Sequence, residues 1–178
     1  MLRNRLAAGF CSLAFSVALQ ASVTERAVDI AEKFANEALR ETYGLDAVSL
    51  SVRTEQFAAG AAPERFWITV SSQPRPCDSS VAEEIGEIYV QFVKNQFYSI
   101  QWLPARDPKV RAAETTRLRM LRWVRGVWDL DKQISERSVP STIPTQHLEF
   151  SLRGRKGTIT IIIDREYGFV HRVYWTAE

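Results

Sequence analysis

The alternation of side chains in the last part of the chain is the feature that most constrains its fold. Between residues 145 and 175, apolar and polar side chains alternate in three segments. Two sequences that are rich in turn-forming residues, Gly154–Gly157 and Asp164–Gly168, separate these segments. A period of two is typical of β-strands, so the sequence predicts a three-stranded antiparallel meander over Thr145–Trp175.

The two turns suggest a register for this meander. If Arg153 pairs with Thr158 and Asp164 with Phe169, one face of the meander is apolar with a single exception. That face carries Leu148, Phe150, Leu152, Ile159, Ile161, Ile163, Val170 and Tyr174, and the exception is Arg172. We expect this face to belong to the core.

The opposite face of the predicted meander is mixed. In the same register His147 lies opposite Asp164, and His171 lies two strands from Glu149. Two imidazoles and two carboxylates on one face could form a metal or acid–base site. A histidine opposite an aspartate is also an ordinary cross-strand pair, and the two histidines are separated by a strand. We therefore assign no catalytic residue, no metal and no cofactor.

The N-terminal stretch differs from the rest of the chain. Arginines at positions 3 and 5 precede an apolar run from Leu6 to Leu19, and small residues follow, which is the order of a secretory signal peptide. A membrane anchor needs about 20 apolar residues, and mitochondrial presequences are amphipathic rather than apolar on all sides. We expect residues 1–21 to be a signal peptide, residues 22–178 to form a single α+β domain, and the protein to be periplasmic or secreted. A mitochondrial location is the alternative.

Removal of this leader would change both the charge and the cysteine content. Without Arg3 and Arg5, the 23 basic side chains become 21, equal to the 21 acidic ones. Cys11 would also be lost, so Cys77 would have no partner for an intramolecular disulfide. We therefore expect the exported chain to be stabilised by its apolar core rather than by disulfides.

Hydrophobic periodicity predicts further elements before the meander. Spacings of three and four residues predict three helices. They are Ser22–Thr42, a helix from Asp78 or Ser79 to Val93, and Pro108–Leu130. Alternation predicts strands. They are Ala47–Phe57, Arg65–Ser71 and Gln96–Leu103, the last of which could also extend the preceding helix.

This order of elements predicts an α+β fold. We expect an antiparallel sheet of five or six strands, with helices packed mainly on one face and the three-stranded meander at the C-terminus. The segment Asp131–Pro144 contains two prolines and mixed charge, and it is expected to be a linker into the meander.

The helix predicted over Pro108–Leu130 lies in the most basic part of the chain. Seven basic and two acidic residues occur between positions 106 and 125. On a helical wheel, four arginines cluster opposite the apolar positions. They are Arg111, Arg119, Arg122 and Arg125. Arg117 falls among the apolar positions, where it could pair with Glu114 three residues earlier.

Three interpretations of this basic amphipathic helix compete. Its arginines are simply solvated, or they dock an acidic protein partner, or they contact an anionic membrane surface with the help of Trp123 and Trp128. Nucleic acid is the least favoured partner, because export removes the protein from it and no binding motif accompanies the charge.

No motif of a known enzyme class is present. There is no Walker loop, dinucleotide-binding glycine turn, HExxH or GxSxG sequence. We predict a non-enzymatic, exported interaction protein that binds an acidic protein partner. The predicted binding residues are Arg111, Arg119, Arg122, Arg125 and Trp123.

Two other functions remain open. The first alternative is a carrier of a small apolar ligand, bound in a cavity between helices and sheet. The aromatic side chains considered for that cavity are Trp67, Phe92, Phe97, Trp102, Trp123 and Trp128. A hydrolase or metal-binding protein is third, because the sequence offers no nucleophile with a nearby base and no metal-ligand set.

Overall fold

One antiparallel sheet of eight strands dominates the computed structural model of the chain. The structure describes residues 23–44, 48–55, 64–72, 82–105, 107–108, 110–140, 142 and 144–177. The predicted signal peptide, with Cys11, and Cys77 lie outside these residues.

The chain runs twice through the same succession of elements. Helix α1 covers residues 23–43 and includes a π-helical segment, Ala35–Leu39. Four strands follow: β1 (Val48–Glu55), β2 (Glu64–Ser72), β3 (Glu83–Val93) and β4 (Gln96–Pro104). Helix α2 (Glu114–Trp128) then precedes β5 (Leu130–Val139), β6 (Thr145–Leu152), β7 (Thr158–Asp164) and β8 (Val170–Thr176). Each half is thus a helix followed by a four-stranded meander.

The two meanders join through their last strands. The order of strands is β1-β2-β3-β4-β8-β7-β6-β5, and all neighbours are antiparallel. The pairing of β4 with β8 is short, and we call it the seam. It comprises Ser99 with Tyr174, Ile100 with Val173, and Gln101 with Arg172. Ile100 and Val173 are each 0% exposed, so the apolar side of the sheet continues across the junction.

Both helices contact this apolar side of the sheet. Near the C-terminus of α1, the Tyr43 hydroxyl accepts a hydrogen bond of 3.0 Å from the Trp102 indole, and both residues are fully buried. At the C-terminus of α2, Trp128 stacks on Phe97 of β4 with ring centroids 4.4 Å apart. These aromatic contacts bury large apolar areas and orient the helices on the sheet.

The predicted α+β fold, with five or six strands and helices packed mainly on one face, is wrong. The structure is mostly sheet, with eight strands, one helix of 21 residues and a shorter second helix. Two segments account for the difference: the helix predicted to end at Val93 is β3, and the predicted linker Asp131–Pro144 is largely β5.

The sequence of β3 has the apolar spacing of a helix because the strand contains an irregularity. Val70 pairs with Gly86 but the next residue, Ser71, pairs with Glu84, so Ile85 is an extra residue in β3. Ile85 and Ile88 are both buried, and their spacing of three imitates one turn of a helix. Lys94 and Asn95, with φ of 50° and 62°, then form the two-residue turn into β4.

Strand β5 has no clear apolar alternation because it lies at the edge of the sheet. Seven of its ten residues are exposed; Ile134, for example, is 49% exposed. The register shifts between Leu130 and Gln133 and again between Gln133 and Ser135. Exposed edge strands commonly carry charged residues and bulges, which protect them from pairing with other chains.

The register of the C-terminal meander agrees with the predicted one only at the second turn, where the Asp164 N–H donates a hydrogen bond of 3.0 Å to the Phe169 carbonyl oxygen. Thr158 pairs with Ser151 rather than with Arg153. An irregularity between Ile162 and Ile163 shifts the pairing with β8, so Val173 is buried in the core. Arg172 and Tyr174 therefore lie on the opposite side of the sheet, where the arginine is half-buried.

Replacement of Ile100 by alanine tests the contribution of the seam to stability. Because Ile100 is fully buried, Ile100→Ala should lower the free energy of unfolding by about 2–5 kcal/mol, measured by urea denaturation. The matched control is Ile134→Ala, the same chemical change on an exposed edge position, which should cost less than about 1 kcal/mol. Equal losses for the two variants would contradict the position of Ile100 in the core.

Candidate functional site

The first predicted binding residue, Arg111, is not on the helix. Helix α2 begins at Glu114, and Ala113 before it has an extended backbone conformation. The preceding segment is tied down by backbone hydrogen bonds from Val110 to Thr42 and from Ala112 to Tyr167. Arg111 is exposed there, beside Gly168 in the turn between β7 and β8.

Arg119 connects the two helices. Its Nε lies 3.6 Å from Glu37 Oε2, and its Nη2 lies 3.6 Å from Glu41 Oε2. The same Nη2 donates a hydrogen bond of 3.1 Å to the Thr116 hydroxyl, which in turn donates to Glu41. The Arg119 side chain is still 52% exposed, so solvent weakens these ion pairs. Part of its charge is nevertheless compensated within the chain.

Trp123 belongs to the contact between the helices. It is half-buried and packs edge-on against Phe34 of α1, with ring centroids 6.0 Å apart. Most of its surface is thus not available as a membrane or partner contact, and its evident role in the structure is to hold α2 against α1.

Arg122 and Arg125 are the two arginines of α2 whose charge no carboxylate of the described residues compensates. Both are exposed, and neither forms an ion pair within the described part of the chain. The Arg125 guanidinium lies 5.7 Å from the centroid of the Phe150 ring, a cation–π distance. Leu118, which is 51% exposed, precedes these arginines by four and seven residues and so lies on the same side of the helix. We call Leu118, Arg122 and Arg125 the outer face of α2.

The predicted pairing of Arg117 with Glu114 is confirmed. Arg117 donates hydrogen bonds of 2.9 Å and 2.6 Å to the two Glu114 carboxylate oxygens. The hydrogen bond with Arg117 lowers the pKa of the Glu114 carboxyl below its usual value. Arg117 is therefore not free to bind a partner, unlike Arg122 and Arg125.

The histidines and carboxylates of the meander do not form the predicted pairs. His147 pairs with Ile162, and Asp164 pairs with Thr145. The Asp164 carboxylate instead accepts two hydrogen bonds of 2.8 Å from backbone N–H groups in the following turn. Within the residues that the structure describes, no group of three or more His, Cys, Asp or Glu side chains could hold a metal ion.

The six aromatic residues considered for a ligand cavity are dispersed. Trp102 and Phe92 are fully buried in the core, and Trp123 lies between the helices. Trp67 lies on the other side of the sheet, where its ring is 4.6 Å from that of Tyr89. Phe97 and Trp128 line a pocket that is formed by described residues.

That pocket has a volume of about 240 Å³ and lies beside the stacked rings of Phe97 and Trp128. Its lining comes from both halves of the chain. The first half contributes Arg26, Asn95, Gln96 and Phe97, and the second contributes Val127, Trp128, Leu152, Arg155 and Trp175. Sequence analysis missed this pocket because its residues are far apart in the chain and meet only through the seam.

Comparison of the chain with known protein families, curated proteins and solved structures found no match. Among the helices in the described ranges, none is long and apolar enough to cross a membrane. The outer face of α2 and the pocket are the two surface features of the described residues that suggest binding.

Two histidines should make the stability of the fold depend on pH. Burial lowers the pKa of both His171 and His147 below 6.5. For His171, Asp164 partly opposes this effect and Arg172 adds to it. For His147, Arg137 adds to the effect and Glu149 partly opposes it. The unfolded chain then binds protons more readily than the folded chain, so stability should decrease as the pH falls from about 7.5 through 6.5.

NMR titration of the imidazole resonances would measure both pKa values directly. We expect each to lie below 6.5, and His171→Gln should reduce the loss of stability between pH 7.5 and pH 5.5. Imidazole pKa values at or above 6.5 would contradict the described environments.

Proposed function

We propose that the protein is a non-enzymatic, exported binding protein whose outer face of α2 docks an acidic protein partner. The observation that carries this proposal is the placement of two exposed arginines beside an exposed leucine, Leu118. Among the described residues these arginines, Arg122 and Arg125, have no acidic partner. The signal-peptide pattern of residues 1–21 supports export.

The chemistry of this face suits recognition of carboxylates. Each guanidinium has a planar fork of donors that matches a carboxylate, and it loses less hydration than an ammonium group would. The central residues of protein interfaces are enriched in arginine and in apolar side chains. Leu118 provides apolar area next to Arg122, and the Phe150 ring restrains the guanidinium of Arg125 before any partner binds.

The other predicted residues contribute less in this proposal. Arg119 lies at the margin of the face and shares its charge with Glu37 and Glu41. Arg111 is exposed but lies outside the helix, and Trp123 supports α2 from within. We therefore expect the energy of partner binding to be concentrated at Arg122 and Arg125, with a smaller share from Arg119 and Arg111.

Charge reversal tests the proposal. The double variant R122E/R125E should lose capture of an acidic protein from an extract of the source cells, while wild-type protein retains it. The matched control is K156E/R165E, which makes the same change in net charge at two other exposed positions. Capture by the wild-type protein should also weaken as salt rises, because exposed charges are screened.

Three results would contradict the proposal. Capture that is unchanged in R122E/R125E would show that the outer face of α2 is not the docking surface. Equal loss in the control would show that net charge, rather than this face, drives association. Binding of the wild-type chain to vesicles of anionic lipid, without capture of any acidic protein, would favour the membrane surface as the partner instead.

A further inference from the structure

The pocket beside Phe97 and Trp128 has the chemistry of a ligand site that is separate from the outer face of α2. We infer that it binds a small amphipathic carboxylate, with its apolar part against the aromatic rings and its carboxylate towards the two arginines of the lining. Stacked aromatic rings and two arginines line this pocket.

The apolar part of the pocket is preformed. Trp128 and Phe97 are stacked at 4.4 Å with an interplanar angle of 25°, and Val127 and Leu152 add aliphatic surface. The volume of about 240 Å³ corresponds to that of about eight water molecules in the liquid, since each takes about 30 Å³. It therefore suits a molecule smaller than a typical drug.

Two indole groups in the lining lack an acceptor. The Nε1 atoms of Trp128 and Trp175 are buried, and neither has a hydrogen-bond partner within the described residues. An indole N–H can only donate, and buried ones usually find an acceptor. Both Nε1 atoms are enclosed by protein atoms, so a ligand in the pocket would contact the carbon atoms of these indole rings rather than their N–H groups.

The charge of the lining selects an anion. Arg26 and Arg155 are both exposed at the pocket, and none of the lining residues is acidic. Arg26 donates one hydrogen bond of 3.1 Å to the Asn95 carbonyl and lies over the Phe92 ring, so its guanidinium is oriented while other donors stay free. Arg155 has no ion pair in the part of the chain that the structure describes.

Gly157 is required for the position of Trp175. A Cβ atom at Gly157 would lie 2.3 Å from Trp175 Nε1 and 2.6 Å from the Thr176 carbonyl oxygen. The absence of a side chain at this position therefore lets the indole pack against the turn between β6 and β7. Gly157 thus helps to build the wall of the pocket that Trp175 forms.

Octanoate, 1-octanol and octylammonium form a matched set of probes, because they share the chain length and differ in charge. Titration of the full chain with each probe, followed by NMR of the five indole N–H resonances, should show saturable shifts for octanoate at Trp128 and Trp175. Trp102, which already donates to Tyr43, should not shift. Octylammonium should bind at least tenfold more weakly than octanoate.

Variants of the two arginines test the role of charge. R26Q/R155Q should weaken octanoate binding at least tenfold. If this double variant does not fold, R155Q alone is the test, and it should also weaken octanoate binding. The control R153Q/R165Q removes two exposed arginines from outside the pocket and should bind octanoate like the wild type. R122E/R125E should also bind it, since the pocket and the outer face of α2 are distinct.

Two outcomes would overturn the inference. If octanol binds as tightly as octanoate and R26Q/R155Q has no effect, the pocket takes neutral apolar ligands rather than anions. If none of the three probes shifts the Trp128 and Trp175 resonances, the pocket is not a ligand site of this class. Neither outcome bears on the acidic partner proposed for α2.

Discussion

The pairing of β4 with β8 is the interaction on which the rest of the structure depends. Each half of the chain is a helix with a four-stranded meander, and each meander would leave its last strand unpaired. Three residue pairs at the seam remove both open edges and bring Ile100 against Val173 in the core. The contact between α1 and α2 combines residues from the two halves, and so does the lining of the pocket. The helix contact and the pocket therefore both follow from this strand pairing.

The arginines of α2 are of two kinds, those that carboxylates of α1 or α2 compensate and those that they do not. Arg117 is bound to Glu114, and Arg119 is shared among carboxylates of α1. Arg122 and Arg125 have no acidic partner among the residues that the structure describes. A helical wheel places arginines by angle alone, so it cannot show which of them a neighbouring helix compensates. The charge available to a partner is therefore smaller, and more localised, than the composition of the segment indicates.

Local patterns predicted the regular strands, whereas the fold depended on irregular and non-local features. Segments with unbroken alternation, such as those of β2 and β6, could be predicted to within a few residues because one face of each is buried. The extra residue Ile85 interrupts the alternation of β3, so this strand was not predicted. Strand β5 was not predicted because most of its residues are exposed and it lacks apolar alternation. The irregularity after Ile162 reversed the faces of β8 from Arg172 onwards, whereas Val170 is buried as predicted. The pocket could not be predicted, because no local pattern indicates that β4 meets β8.

The most direct test of this account is an NMR measurement of contacts across the seam. Antiparallel partners on one face of a sheet lie about 5 Å apart at their Cβ atoms, so the methyl groups of Ile100 and Val173 should show a nuclear Overhauser effect. Their backbone amides should also exchange slowly with solvent, as expected for a central strand pair. If this cross-peak is absent and the amides of β4 and β8 exchange rapidly, the two halves do not form one sheet and the account is wrong.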